Sequence, residues 1–431
     1  MVYTEKSVKK LSDKEAVQKR PGQFIGSVDI DGILTCVREI LDNSVDEFMS
    51  GYGKNIKVKI LKTGEIEVED EGRGIPGENN NGISCIELAL ANLNAGGKFE
   101  DGAYATSGGL HGVGASAVNF LSESFYVCSK RNNGTWEGLW KNGKKVELKQ
   151  ISKAKNKKTG TTIKFKLNKE IFIDSETIIP PKENIIELLE ERAYLNSGII
   201  FHLKYFSEPE IKINFPGGIS QMLENLIKKQ KAESLISKTI FLESTINDIP
   251  VSIALLWKDT STENIIGFCN SIRQPFGGSH ITGFKISLPK VIKDLVNEFN
   301  LLKKNKDIEI DSRDCFENCM AVVSIKHSNP VYRGQAKGSL SNNDVQGAVQ
   351  KIIYDLLPVW FKKNSKDAKI IANFVANNAY ERFLALQAKK QIKKAGKGLS
   401  GMNKPHKLKD CSSKIIEERE MFICEGECLP S

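Results

Sequence analysis

The chain has 431 residues, 40% hydrophobic and 27% charged, the composition of a soluble globular protein with two or three domains that each bury a core. No apolar run approaches the roughly 18 residues of a membrane helix, and Met1-Val-Tyr-Thr-Glu-Lys6 is not a secretory start, so a membrane or exported protein is not expected and a cytoplasmic one is. The net charge of +9 favours polyanions weakly, and nine scattered cysteines read as reduced thiols rather than a disulfide framework.

Residues 1–20 are polar and Lys-rich, ending at Arg20-Pro21-Gly22, and read as an arm before the first domain. Residues 30–49 predict a helix: at about 100° per residue Leu34, Val37, Ile40, Leu41, Val45 and Phe48 share one face, and Glu39, Asp42, Asn43 and Asp46 the opposite one. Ile56–Ile60 and Glu65–Glu69 alternate with period two around a turn at Thr63-Gly64, and 124–129, 134–141 and 161–167 are further strands. A helix follows at 185–196. Tight turns between consecutive strands argue for an α+β sandwich over a parallel doubly wound sheet. Near Phe215-Pro-Gly-Gly218 the pattern restarts as a second α+β domain, with strands at 251–257 and 321–327 and helices at 344–357 and 366–394. From Gly396 the composition turns loop-like.

Three segments carry chemistry in a fixed order. The acidic face of the first helix, taken alone, is a solvated surface. Asp70-Glu-Gly-Arg-Gly-Ile-Pro76 then leaves a strand with glycines that let backbone approach a ligand. Gly108-Gly-Leu-His-Gly-Val-Gly114 opens a helix, whose free N–H groups and positive dipole end suit phosphate. Together these supply a base, a metal ligand, a base-reading carboxylate and a phosphate cradle. No Gly-x-x-x-x-Gly-Lys-Ser/Thr loop exists in the chain, so a nucleotide is held differently from that class. His406, Cys411, Cys424 and Cys428 fit no standard zinc spacing and read as packing or free side chains.

With these segments the chain resembles the ATPase subunit of bacterial type II DNA topoisomerases, gyrase B or its topoisomerase IV counterpart, within the superfamily shared with Hsp90, MutL and histidine kinases. Lys19-Arg-Pro-Gly-Gln-Phe-Ile-Gly-Ser27, Asn94-Ala-Gly-Gly-Lys-Phe99, Gly277-Gly-Ser-His-Ile-Thr-Gly-Phe284, Gln335-Ala-Lys337 and Lys407-Leu-Lys-Asp-Cys411 match further landmarks in order, so the resemblance covers nearly the whole chain. It implies a GHKL (Bergerat) ATPase α/β sandwich at 21–214 after a dimerisation arm at 1–20. A transducer domain of ribosomal protein S5-like α+β fold follows at 215–395, and then a linker and the start of a Toprim domain at 396–431. Asp42-Asn-Ser-Val-Asp46 leans toward topoisomerase IV.

The resemblance also implies roles. Glu39 is the general base toward water, and Asn43 coordinates Mg²⁺ without adding negative charge. Asp70 accepts the adenine amino group with Thr161 assisting, Gly74 lines the pocket, and Arg73 pairs with Glu47. Backbone of Gly109, Leu110, His111, Gly112, Val113 and Gly114 wraps the phosphates of ATP, with Lys98 near. Gln335 and Lys337 reach the γ-phosphate from the second domain, so domain position depends on that phosphate. Tyr3 touches the nucleotide of the other protomer in an ATP-driven homodimer. DNA and a DNA-cleaving topoisomerase subunit are the further partners, and the Lys-rich run Lys389–Lys394 is a solvated face or a DNA-facing one. His280 and Cys315 read as packing residues.

Departures from the family pattern are equally specific. Thr35 stands where a His usually orients the general base; its hydroxyl has the reach for a hydrogen bond to Glu39 but carries no charge. Ala105 replaces a lid Lys, Ala336 a Thr, and Asp314-Cys-Phe-Glu317 departs from an acidic-Arg-Glu stretch. Phe422-Ile-Cys-Glu-Gly-Glu427 resembles the first Toprim strand with its Glu, but Cys428-Leu-Pro-Ser431 brings no Asp-x-Asp partner; a truncated gene product, the favoured account, or a deliberately shortened chain is expected, and neither cleaves DNA itself. The rival to an active ATPase is therefore a catalytically weak ATP-binding clamp.

Overall fold

Asp29 sets the position of the first long helix. Its carboxylate accepts from the Asp31 and Gly32 amides (2.9 and 3.3 Å), capping Ile30–Met49, the helix bounds expected from periodicity. Ile33, Leu34, Cys36, Val37, Ile40, Leu41 and Val45 are all buried along it. The computed structural model describes residues 11–80, 82–95, 112–154, 157–260, 264–303, 307–334, 337–402 and 415.

The alternating segments form a hairpin. Asn55–Ile60 runs antiparallel to Glu65–Asp70 with Val58 opposite Val68, and Gly64 at φ +81° makes the turn. Ile56, Val58, Ile60, Ile66 and Val68 point inward; the outer face carries the cross-strand pairs Lys57–Glu69 (3.2 Å) and Lys59–Glu67 (2.6 Å). This hairpin sits in an eight-stranded sheet of the described residues, in the order Ile211–Ile213, Ile200–Tyr205, Asn55–Ile60, Glu65–Asp70, Gly160–Leu167, Ser122–Arg131, Gly134–Lys141, Lys144–Ser152. The pairing of Asn55–Ile60 with Ile200–Tyr205 is parallel and the others are antiparallel, including every pair joined by a tight turn. The helices Ile30–Met49, Gly114–Phe120 and Lys182–Leu195 share one core with the sheet, built on Phe125, Phe165, Phe201 and Leu203.

Two expectations need correction. Part of the 1–20 arm belongs to this first unit: Asp13–Lys19 is a helix with a Ser12/Glu15 capping box, its Val17 is fully buried, and Gln18 donates to the Phe120 carbonyl (2.8 Å). The Ser365–Met402 helix also continues past Gly396, where composition alone suggested a loop.

The second unit holds a five-stranded sheet in the order Ile240–Ile246, Ile249–Trp257, Cys319–Ile325, Asn264–Cys269, Ile272–Arg273. The central strands Ile249–Trp257 and Cys319–Ile325 are apolar along most of their length because both faces are covered. Gly218–Lys229, Ser279–Glu298, Asn343–Lys363 and Ser365–Met402 supply the helices. The units meet at Tyr194, which stacks on Phe215 (centroids 3.9 Å apart), accepts from the Asn225 amide (2.7 Å) and lies in the second unit's core. Among the described residues no helix is long and apolar enough to cross a membrane.

Candidate functional site

The site is assembled where the Ile30–Met49 helix passes the end of the Glu65–Asp70 strand and the start of the Gly114–Phe120 helix. Glu39 and Asn43 stand one turn apart on the first of these. The Glu39 carboxylate lies directly against Gly114: a Cβ built there meets Oε2 at 1.9 Å. Gly114 is thus a glycine because the carboxylate fills the space a side chain needs. Gly112 takes φ +58°, and among the described residues no side chain caps the first amides of the helix that Val113 and Gly114 begin. Gly114 is therefore beside Glu39.

Asp70 is 9% exposed and fully bonded. Its Oδ1 accepts from the Gly72 amide (2.8 Å) and the Thr161 amide (3.1 Å), and its Oδ2 accepts from the Ser44 hydroxyl (3.0 Å). Burial pushes the carboxyl up from 3.8 to about 6, against these three donors, with the charge of Glu47 adding to the rise. Thr161 is 8% exposed and placed at this carboxylate.

The glycines after Asp70 are also dictated by contact. A Cβ on Gly72 meets Glu47 Cγ at 2.7 Å, and one on Gly74, at φ +76°, meets the Lys130 carbonyl oxygen at 2.6 Å. Arg131 Nη1 donates to the Gly74 carbonyl (2.7 Å), pinning the turn to the neighbouring strand. The expected Arg73–Glu47 pair is present and forked: Nε to Oε2 at 3.1 Å, Nη2 to Oε1 at 3.0 Å, with the Arg73 amide also donating to Oε2 (2.8 Å). The Arg73 guanidinium covers the Tyr52 ring at 4.5 Å.

Thr35 corrects an expectation. Its hydroxyl donates to the Asp31 carbonyl (2.9 Å), one turn back on its own helix, rather than to Glu39. His280 and Cys315 are fully buried, and burial lowers the His280 imidazole to about 4 and raises the Cys315 thiol to about 12, which keeps both neutral as packing groups.

Lys337 lies in the second unit, at φ +52°, in the segment between the Cys319–Ile325 strand and the Asn343–Lys363 helix. Its amide donates to the Gly334 carbonyl (3.2 Å), and next to it the Gly338 carbonyl accepts from the Phe276 amide (3.0 Å). Tyr3, Lys98, Gly109, Leu110, His111 and Gln335 lie outside the described residues, as do the rest of 96–111, His406, Cys411 and 422–431. Among the described residues no group of three or more His, Cys, Asp or Glu side chains is arranged to hold a metal.

Two residues at the site were not singled out from sequence. Ser44 is a hydroxyl on the helix's buried side, beside Leu41 and Val45, and such a group requires a partner; Asp70 is it. Arg192, 2% exposed, shares a helix face with Ile185, Leu188 and Leu189, and it binds Asp42 through Nε (2.9 Å) and Nη2 (3.3 Å). A charge in an apolar row was the available signal.

Comparison with known proteins places both units. The family described as histidine kinase-, DNA gyrase B- and HSP90-like ATPase matches residues 28–171, and the DNA gyrase B family matches 218–391. The DNA gyrase B protein of Metamycoplasma hominis is 37% identical over 98% of the chain and 66% of its own length; that of Archaeoglobus fulgidus is 38% identical over 99% and 66%. The 43K ATPase domain of Thermus thermophilus gyrase B, solved in complex with an aminocoumarin, superposes with a TM-score of 0.74 at 28% identity, covering 88% of the chain and 98% of that domain. The chain thus spans just under two thirds of the length of the two gyrase B relatives. Both carry the gyrase name, not the topoisomerase IV name toward which Asp42–Asp46 leaned.

Proposed function

The chain belongs to the DNA gyrase B family, with an ATPase domain followed by the family's second domain, and from that premise we propose that it binds and hydrolyses ATP as the N-terminal gate of a type II DNA topoisomerase. The observation that carries the reading is Asp70: a buried carboxylate held by three donors, next to Thr161 and bonded through Ser44 to the helix that carries Glu39 and Asn43. Such a group, aimed beside a glycine turn, accepts the exocyclic amine of adenine. Gly112, Val113 and Gly114 then face the phosphates with uncapped amides, together with Gly109, Leu110, His111 and Lys98 from the lid.

Glu39, against the Gly114 end of that helix, is the base that takes a proton from the attacking water. Mg²⁺ fits a donor set of this kind, because it keeps most of its ligands as phosphate and water oxygens and needs one protein oxygen, here the Asn43 amide. Bound Mg²⁺ supplies charge neutralisation on the triphosphate. Lys337 and Gln335 complete the site on the γ-phosphate, which links hydrolysis to the placement of 215–395 against 21–214. Closure is a homodimerisation through residues 1–20, with Tyr3 reaching the nucleotide of the other protomer, and strand passage acts on DNA with a DNA-cleaving subunit in the cytoplasm.

The test is Mg²⁺-dependent phosphate release with Glu39→Gln and Lys337→Ala beside the wild type. Loss of turnover in both with ATP-analogue binding retained supports the reading; binding without any Glu39-dependent turnover leaves a nucleotide clamp in its place. Sedimentation with a non-hydrolysable analogue should convert monomer to dimer, and an unchanged monomer refutes the gate.

A further inference from the structure

The Glu39–Asn43 turn is held from outside the site by a charge that the hydrolysis scheme does not use. Asp42 lies between Glu39 and Asn43 in sequence, and both its carboxylate oxygens are taken by Arg192. The guanidinium is 2% exposed, so the fork is desolvated and geometrically fixed. From there the bonding continues through the main chain. The Arg192 carbonyl accepts from both the amide and the side chain of Asn196, each at 3.0 Å.

Asn196 crosses to the second unit. Its Nδ2 donates to the Ser271 hydroxyl at 3.1 Å, and both residues are buried, at 3% and 7% exposure. Ser271 and Asn270 form a two-residue turn, at φ +63° and +49°, between Asn264–Cys269 and Ile272–Arg273. Asn270 in turn exchanges two hydrogen bonds with the His327 backbone, both 2.8 Å. The His327 ring meets Asp344 at 3.1 Å. His327 and Asp344 bracket the segment that carries Lys337. An unbroken polar chain therefore runs from Asp42 to both ends of that segment.

A cleft of about 550 Å³ separates the units, lined by Arg38 and Arg192 on one side and Met222, Leu226 and Ile272 on the other. A bonded strut across a cleft transmits displacement, whereas apolar side chains across the same gap slide.

Resting on the ATPase reading of the site, we propose that Arg192 is a positioning residue that sets Glu39 and Asn43 through Asp42, and that the Asn196–Ser271 bond makes this setting follow the position of the second unit. The mechanism is mechanical: a swing of the Lys337 segment moves the 270–271 turn, the turn moves the end of the Lys182–Leu195 helix, and Arg192 rotates the Asp42 turn of the site helix.

The decisive variants are Arg192→Lys and Ser271→Gly, the second chosen because glycine suits φ +63° while the loss of the hydroxymethyl group breaks the bond to Asn196. Steady-state hydrolysis and analogue binding are measured on the full chain, with Glu39→Gln alongside. Ser271→Gly should lower kcat about fivefold with analogue Kd within about twofold, and Arg192→Lys should lower kcat about tenfold. The double variant should be no worse than Arg192→Lys alone, because both act on one link. Unchanged kcat in Ser271→Gly, or losses that multiply in the double variant, overturns the proposal provided Glu39→Gln is inactive. Wild-type hydrolysis by Glu39→Gln instead overturns the site reading beneath it.

Discussion

Asp70→Asn separates the electrostatic cost of this site from its shape. The side chains are isosteric, and the observed partners accept the exchange: the amide oxygen takes the Gly72 and Thr161 N–H groups, and the new NH₂ donates to the Ser44 oxygen. What disappears is an ionised carboxylate whose burial raises it from 3.8 to about 6. A folded-state value above the unfolded one means that the fold prefers the protonated form, so Asp70 costs stability as pH rises through this window. The gap corresponds to about 3 kcal/mol above pH 6, with none of it present below the ordinary carboxylate range. About 1.4 kcal/mol of this develops between pH 5 and pH 8. Thermal unfolding of wild type and variant at pH 5, 6, 7 and 8 should therefore show the variant gaining on wild type by about 4 °C across the series, for a unit of roughly 200 residues. At every pH the variant should also fail to bind adenine nucleotide, because it presents a donor to a donor. A stability difference that is flat with pH, or that favours wild type at alkaline pH, refutes the account of Asp70 as a carboxylate ionised at a cost.

Other perturbations test separate features. His280 is fully buried with both ring nitrogens unbonded, and burial lowers it to about 4 from 6.5, so its contribution is intact above the unfolded value and is lost as pH falls from 6.5 toward 4. His280→Leu should consequently be more stable than wild type at pH 5, relative to pH 8, by about 2 kcal/mol in chemical denaturation; equal pH profiles would count against a neutral buried ring. Thr35→Val should leave ATP turnover within about twofold, because the hydroxyl it removes serves the Asp31 carbonyl and not Glu39. Glu47→Gln should destabilise the first unit by about 1–2 kcal/mol, since it weakens a forked pair in which Glu47 is only 12% exposed, and denaturant midpoints measure it.

What the sequence made legible was whatever repeats locally. The Ile30–Met49 helix, the hairpin of Asn55–Ile60 with Glu65–Asp70 and the Gly134–Lys141 strand follow from period 3.6 and period 2 with turn residues between. That Glu39 lies against Gly114, and Asp70 against the helix that carries Asn43, was legible because each sits in a motif whose order is itself informative. Ser44 and Arg192 were not, because their roles exist only after distant segments meet: Ser44 finds Asp70 26 residues away, and Arg192 finds Asp42 150 residues away. The arm boundary failed for a similar reason. Asp13–Lys19 looks polar, yet the buried Val17, the Gln18 bond to Phe120 and the Leu93 amide's bond to Asp13 attach it to the first unit.

The Thr35 and Arg192 bonds both bear on the proposal for how Glu39 is oriented. A histidine at position 35 holds its base from one turn earlier on the same helix, so its grip does not change when the units move. Here the hydroxyl of Thr35 is committed to Asp31, and Asp42, three residues on from Glu39, is bonded to Arg192. Orientation that comes from another helix, itself bonded to Ser271 of the second unit, depends on how the units stand. Introducing the histidine, Thr35→His, should then relieve that dependence: the loss of kcat in Ser271→Gly should shrink from about fivefold to less than about twofold in the Thr35→His background. If the Ser271→Gly loss is the same in both backgrounds, Glu39 is oriented independently of Arg192 and the two observations are unrelated.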